Sequence, residues 1–170
     1  MFQKNIAIEG KQAYYISELM EHNFFSRVID VYMNAAVVGF RYNRISEVDK
    51  NGQYKDFKKS IFAEQLINES TKLDFLYRLI ILLHDKDVVE LEERIKRAFR
   101  DDSSNDLSEK HLKNMSIFNS YVLGGIEVLY EKLIEAGATK EDYMRNAYLF
   151  MKEQEIEGKK RSSEDLINDL

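Results

Sequence analysis

Three histidines, His22, His84 and His111, and no cysteine make up the imidazole and thiol chemistry of this 170-residue chain. The lack of cysteine removes thiolate zinc sites, iron–sulfur clusters, disulfide scaffolds and cysteine nucleophiles together. It also agrees with a reducing compartment. The most suggestive arrangement is His84-Asp85, which closes an apolar stretch, with His22 earlier and Asp101, Asp102 and Asp106 later. A second cluster is basic, Arg94, Lys96, Arg97 and Arg100, and cations so spaced can grip phosphates.

The order His22, His84-Asp85, later aspartate resembles that of the HD-domain metal-dependent phosphohydrolases, which are also all-helical. The resemblance implies a divalent metal on His22, His84 and Asp85 that activates water for attack on a phosphate ester. The chain departs from the family where Lys86-Asp87-Val88 follow the pair in place of a small or glycine-bearing turn, and where the gap from His22 to His84 is long. Helix-end chemistry accounts for the same residues. A histidine suits the negative end of a helix dipole, and Asp85 or Asp87 can open the next helix. On that account no metal or other cofactor is expected.

For the basic cluster, Glu90, Glu92 and Glu93 stand four residues before Arg94, Lys96 and Arg97. These are i, i+4 pairs in the favourable order, so a self-paired, solvated helix face is preferred over a nucleic-acid grip. Further on, Gly124-Gly125 interrupts an apolar helix from Tyr121 to Tyr130. Each glycine costs roughly 1 kcal/mol against alanine there, which points to close helix approach, a kink or a break. Tyr121, Gly124, Gly125 and Val128 are therefore candidates for a helix–helix contact, within the domain or between subunits. Near the end, Lys159-Lys160-Arg161 precedes Leu166, Ile167 and Leu170, a short apolar pattern able to dock on a partner.

The elements that must position these residues are helices. Apolar spacing predicts helices over 11–22, 24–42, 56–69, 72–84, 88–100, 108–136 and from about 140 onward. The 24–42 helix carries two apolar stripes and is expected to be central. The 72–84 helix, with Leu73, Leu76, Tyr77, Ile80 and Leu83 on one face and Phe75, Leu79 and Leu82 on another, is expected in mid-core. Val88, Leu91, Ile95, Ala98 and Phe99 form the buried stripe of the 88–100 helix. Gly137 offers a left-handed helix stop, and Thr139 with Asp142 marks a new start. Ile6 and Ile8 allow a short extended piece; no other period-2 strand stands out. The expected fold is an all-α, single-domain bundle of six or seven helices over 1–157, with a polar tail or short appended helix over 158–170.

The composition, 44% hydrophobic and 32% charged, suits a globular domain of this length without staples. A net charge of −5 argues against a general nucleic-acid coat. The longest apolar run, Leu79 to Leu83, is far short of a membrane span, and the start of the chain does not read as a signal peptide. A cytoplasmic location away from membranes is expected. With no serine triad, catalytic carboxylate pair or calcium loop present, the preferred reading is a non-catalytic helical subunit or adaptor. It would work by self-association or within a hetero-complex. Small accessory subunits of bacterial multi-protein machines, including those of nucleic-acid processing and phage defence, have this general look.

Overall fold

The computed structural model describes residues 2–49, 52–101 and 108–168, with side chains described as far as 156. Among these residues the chain forms an all-α bundle: α1 (Lys11–Glu21), α2 (Val28–Arg41), α3 (Ala63–Asn68), α4 (Ser70–Leu83), α5 (Leu91–Phe99), α6 (Glu109–Tyr130) and α7 (Lys140–Asn168). Alpha-6 runs on through one π-helical turn, Glu131–Glu135. No described helix is long and apolar enough to cross a membrane.

Alpha-1 and α2 end alike, and local chemistry dictates how. Asn23 and Asn43 take left-handed φ values of 61° and 48° just past their helices. The next residue then donates back across the last turn, Phe24 N–H to the Leu19 carbonyl at 3.0 Å and Arg44 N–H to the Gly39 carbonyl at 2.8 Å. Each is a Schellman closure with asparagine in the usual place of glycine. Because of it, the expected start of the second helix at 24 moves to Val28. Gly137, by contrast, does not take the left-handed conformation expected of it. A Cβ there would stand 2.7 Å from the Tyr143 ring, so space is what glycine provides. The new start at Thr139 forms as expected. Asp142 N–H donates to Thr139 Oγ1 at 3.2 Å, and Thr139 N–H donates to Asp142 Oδ2 at 3.1 Å.

The stretch expected as a helix from 56 opens instead with a strand. Beta-1 (Ile6–Glu9) and β2 (Lys58–Ile61) pair antiparallel, with Ile6 opposite Ile61 and Glu9 opposite Lys58. Ile61 is buried while Phe57 and Phe62 are exposed, the reverse of a helical face. The Asn5 side chain accepts from Ala63 N–H at 2.8 Å, and Gln65 Oε1 accepts from Phe62 N–H at 3.3 Å. These fix the start of α3. Alpha-4 then begins at Ser70 without a hydroxyl cap, its first turn closed by backbone bonds to Glu69.

The bundle is built on α2 against α6. Gly39 and Gly125 face each other's helices so closely that a Cβ on Gly39 would sit 1.9 Å from the Tyr121 carbonyl oxygen. One on Gly125 would sit 1.9 Å from that of Ala35. Ile29, Tyr32, Ala35 and Ala36 from α2 and Phe118, Val122, Ile126 and Leu129 from α6 fill the core around this crossing. Tyr32 is fully buried, and its hydroxyl donates to Asn119 Oδ1 at 2.7 Å.

The outer layer is α4 and α5, and here the expected burial reverses. Alpha-4 buries Leu73, Tyr77, Ile80 and Ile81, yet Phe75 is 64% exposed and Leu79 is exposed as well. On α5 only Ala98 is buried. Val88, just before it, is 86% exposed, and Leu91, Ile95 and Phe99 face solvent. Leu112 of α6 and Met151 of α7 are exposed too. Periodicity locates an apolar face; it does not supply the neighbour that covers it.

Candidate functional site

The histidines go to separate places. His84 closes α4, and its Nδ1 shares a hydrogen with the Tyr121 hydroxyl at 3.0 Å while its Nε2 stands 3.1 Å from Asp85 Oδ2. Asp85 takes a left-handed φ of 53° to reach that position. His22, at the end of α1, lies 4.3 Å from the Tyr143 ring centre and 3.9 Å from Glu18. Its groove, of about 530 Å³, is walled by Phe24, Tyr143, Met144 and Ala147. Among the described residues no three His, Asp or Glu side chains gather as a metal would require. Asp102 and Asp106 lie outside the described residues.

The basic cluster is divided as well. The Arg94 guanidinium turns inward and donates to the carbonyls of Val89 and Leu82, both at 2.9 Å, tying α5 to the end of α4. Arg97 lies 3.4 Å and Lys96 3.6 Å from Glu93. That pairing holds the Glu93 carboxyl below its ordinary value, chiefly through the Lys96 charge. Arg100 is exposed just past the helix. Arg94 is thus a fastening rather than a free cation. Replacing Arg94 with methionine should cost about 2 kcal/mol, within the range for hydrogen bonds made by a charged group. Lys96→Met should cost less than about 0.5 kcal/mol. Urea denaturation of the two variants decides it, and equal losses would remove the distinction.

Tyr121, Gly124, Gly125 and Val128 make their helix contact inside the domain. All four are buried. Gly125 admits the α2 backbone, and a Cβ on Gly124 would sit 2.1 Å from the Arg44 carbonyl oxygen. They are accordingly closed to a partner. Leu166 and Ile167 fall on the α7 backbone, but their side chains lie outside the described residues.

Two features carry chemistry that spacing alone did not single out. The first is a buried carboxylate. Glu127 is only 5% exposed, and Gln12 beside it is 0% exposed. One Glu127 oxygen accepts from Lys11 at 2.9 Å, from Gln12 at 3.0 Å and from the Ser46 hydroxyl. The other faces Arg44 at 3.4 Å. Burial acts to raise its pKa. The Ser46, Lys11 and Gln12 hydrogen bonds and the Lys11 charge outweigh that, and the carboxyl is held below its ordinary value. Beside it lies a tyrosine cluster, Tyr15 stacked on Tyr130 at 3.9 Å and Tyr14 on Tyr54 at 4.2 Å. Burial and then Glu18 push the Tyr14 hydroxyl up to about 12. An ionised, enclosed glutamate with two cations bound is poorly placed to move protons at neutral pH. It ties α1, the 44–47 segment and α6 together. The signal available in the sequence was a single acid inside the apolar run from Tyr121 to Tyr130.

The second feature is the exposed apolar face. Phe75 lines a groove of about 530 Å³ with Met33 and Val37 of α2, rimmed by Lys72. One turn along α4, Arg78 reaches the other way, its guanidinium 5.2 Å from the centre of the Phe99 ring and 3.0 Å from the Ala98 carbonyl. Exposed apolar side chains thus occur on α2, α4 and α5 alike, with Arg78 between Phe75 and Phe99. Compared with known protein families, with characterised proteins and with solved structures, the chain matches none.

Proposed function

We propose that this chain is a non-catalytic interaction subunit, an accessory part of a larger cytoplasmic assembly, and that it works through the face formed by α4 and α5. The observation that carries this reading is the exposure of Phe75, Leu79, Leu91, Ile95 and Phe99 on adjacent helices. Single exposed apolar residues are ordinary, but a set of this size on two packed helices suits a surface that another molecule covers. Hydrophobic burial at roughly 25 cal/mol per Å² makes such a face costly to leave in water. The anchors are aromatic and aliphatic, with Arg78 and Lys72 at the margins, as at the centre and rim of protein interfaces.

The test is the native mass of the chain in its own cells, compared with a Phe75→Glu, Phe99→Glu variant. The wild type should elute in an assembly heavier than the 20.1 kDa chain. The variant should elute at the mass of the free chain with its circular dichroism spectrum unchanged, because Phe75 is exposed and Phe99 half-exposed. A wild type that elutes alone, or a variant that keeps every partner, would overturn the reading.

A further inference from the structure

We propose that the molecule covering the α5 part of this face is a second copy of the chain, docked with the two α5 helices antiparallel about a two-fold axis at Ile95. The proposal rests on the interaction reading above and names its partner. A two-fold contact uses the same patch on both copies, so the patch must complement itself. Alpha-5 meets that condition in both shape and charge.

In shape, Leu91, Ile95 and Phe99 stand at intervals of four and are all exposed. An axis at Ile95 sets Ile95 against Ile95 and Leu91 against Phe99 of the second copy, at both ends of the contact. In charge, the helix has Glu92 and Glu93 in its first turn and Lys96 and Arg97 in its last. At about 100° per residue, Glu92 and Lys96 lie on one flank of the stripe, about 60° and 100° from Ile95. The other flank is already used, by buried Ala98 and by Arg94 with its carbonyls. Antiparallel helices bring like flanks together, so Glu92 of each copy comes beside Lys96 of the other. A parallel pair would instead bring unlike flanks together and set Glu92 against the flank of Ala98 and Arg94, whose guanidinium is already taken by its carbonyls. A nine-residue helix is only about 13 Å long, too small by itself to bury the roughly 800 Å² per partner of a stable contact. Phe75 and Leu79 on adjoining α4 extend it.

The experiment is sedimentation of the purified full chain over a wide concentration range, with three sets of variants. The wild type should pass from monomer to dimer. Ile95→Glu, which sets two carboxylates face to face at the axis, should weaken the dimer at least 100-fold with the circular dichroism spectrum unchanged. Glu92→Lys and Lys96→Glu should each weaken it about 5- to 10-fold, and mixing the two should restore association to within about twofold of wild type. The chain has no cysteine, so introduced ones report cleanly. With a short bismaleimide, Ile95→Cys should cross-link to itself. Leu91→Cys should cross-link to Phe99→Cys but not to itself. Self-linking of Leu91→Cys would overturn the antiparallel arrangement. A wild type that remains monomeric throughout, with Ile95→Cys unlinked, would overturn the second copy as partner. If that monomer is still held in a larger assembly in cells and released by the Phe75→Glu, Phe99→Glu variant, the interaction reading survives alone; if it is not, both fall.

Discussion

Alanine at Gly125 is expected to destabilise the protein by more than about 3 kcal/mol, at the upper end for an overpacked site. The added Cβ would lie 1.9 Å from the Ala35 carbonyl oxygen, 2.6 Å from its carbon and 2.7 Å from the Gly39 nitrogen. All three are backbone atoms of α2, so no side chain can turn aside and the two helices must separate. Helix propensity acts in the opposite direction, since glycine to alanine within a helix gains roughly 1 kcal/mol. The sign of the measured change therefore decides the matter. A gain in stability would mean that the α2–α6 crossing is not this close. Gly39→Ala should behave like Gly125→Ala, because its Cβ meets the Tyr121 backbone. Gly124→Ala should cost less: it meets the Arg44 and Ile45 backbone in the connection after α2 rather than a second helix, although the Ser46 bonds to Glu127 and Ser120 hold that connection too. The two severe variants share one contact, so their double mutant should fall short of the summed losses. Urea midpoints for the four proteins test this in full, against a total stability of order 5–15 kcal/mol.

Gly124-Gly125 shows what a sequence conveys and where it stops. The cost of two adjacent glycines in a helix was a sound reason to expect close approach, and Gly39 on α2 is the complementary notch. Which helix approached, and from which copy of the chain, depends on the path of the backbone. The same division holds elsewhere. The helical class was legible because stripes such as Phe118, Val122, Ile126 and Leu129 recur over many turns. Beta-2 was not, because Lys58-Lys59-Ser60-Ile61 becomes a strand only through pairing with Ile6–Glu9, some fifty residues away. Alpha-5 misled for a different reason. Leu91, Ile95 and Phe99 form as regular a stripe as any in the chain, and a stripe facing a partner has the same period as one facing the core. Asn23 and Asn43 carried a readable signal, since asparagine tolerates the left-handed conformation that ends a helix.

The outer layer and the buried carboxylate also differ in what they can tolerate. The exposed side of α4 and α5 tolerates changes of side chain better, as Phe75 is 64% exposed. Glu127 cannot, because three segments meet at its two oxygens. Its one unsatisfied neighbour is the Gln12 Oε1 atom, which has no hydrogen-bond partner although it is buried. That amide is held by what its nitrogen donates to, Glu127 and the Glu47 carbonyl at 3.1 Å. Removing the carboxylate therefore loosens Gln12 as well, and with it the start of α1.

Glu127→Ala should accordingly cost about 4 kcal/mol, as when one partner of a buried ion pair is deleted and the other is stranded. Glu127→Gln, which keeps the shape and loses the charge, should cost about 2 kcal/mol. Lys11 and Arg44 reach water with side chains 33% and 48% exposed, so they lose less than a fully enclosed pair would. The pH dependence has a fixed sign. The folded-state pKa of Glu127 lies below its ordinary value of 4.5. Its contribution is therefore complete above that ordinary value and is lost as pH falls through the lowered one. Other carboxyls with lowered values, Glu69, Glu93, Asp142 and Glu153, also weaken the fold in acid. They are present in wild type and variant alike and cancel in the difference. The stability gap between wild type and Glu127→Gln should be widest at neutral pH, flat down to about 5, and should close steadily below about 4. A gap that stays constant from neutral pH into that acid range would mean that Glu127 is not ionised in the fold, and that Lys11, Gln12, Ser46 and Arg44 hold a neutral acid instead.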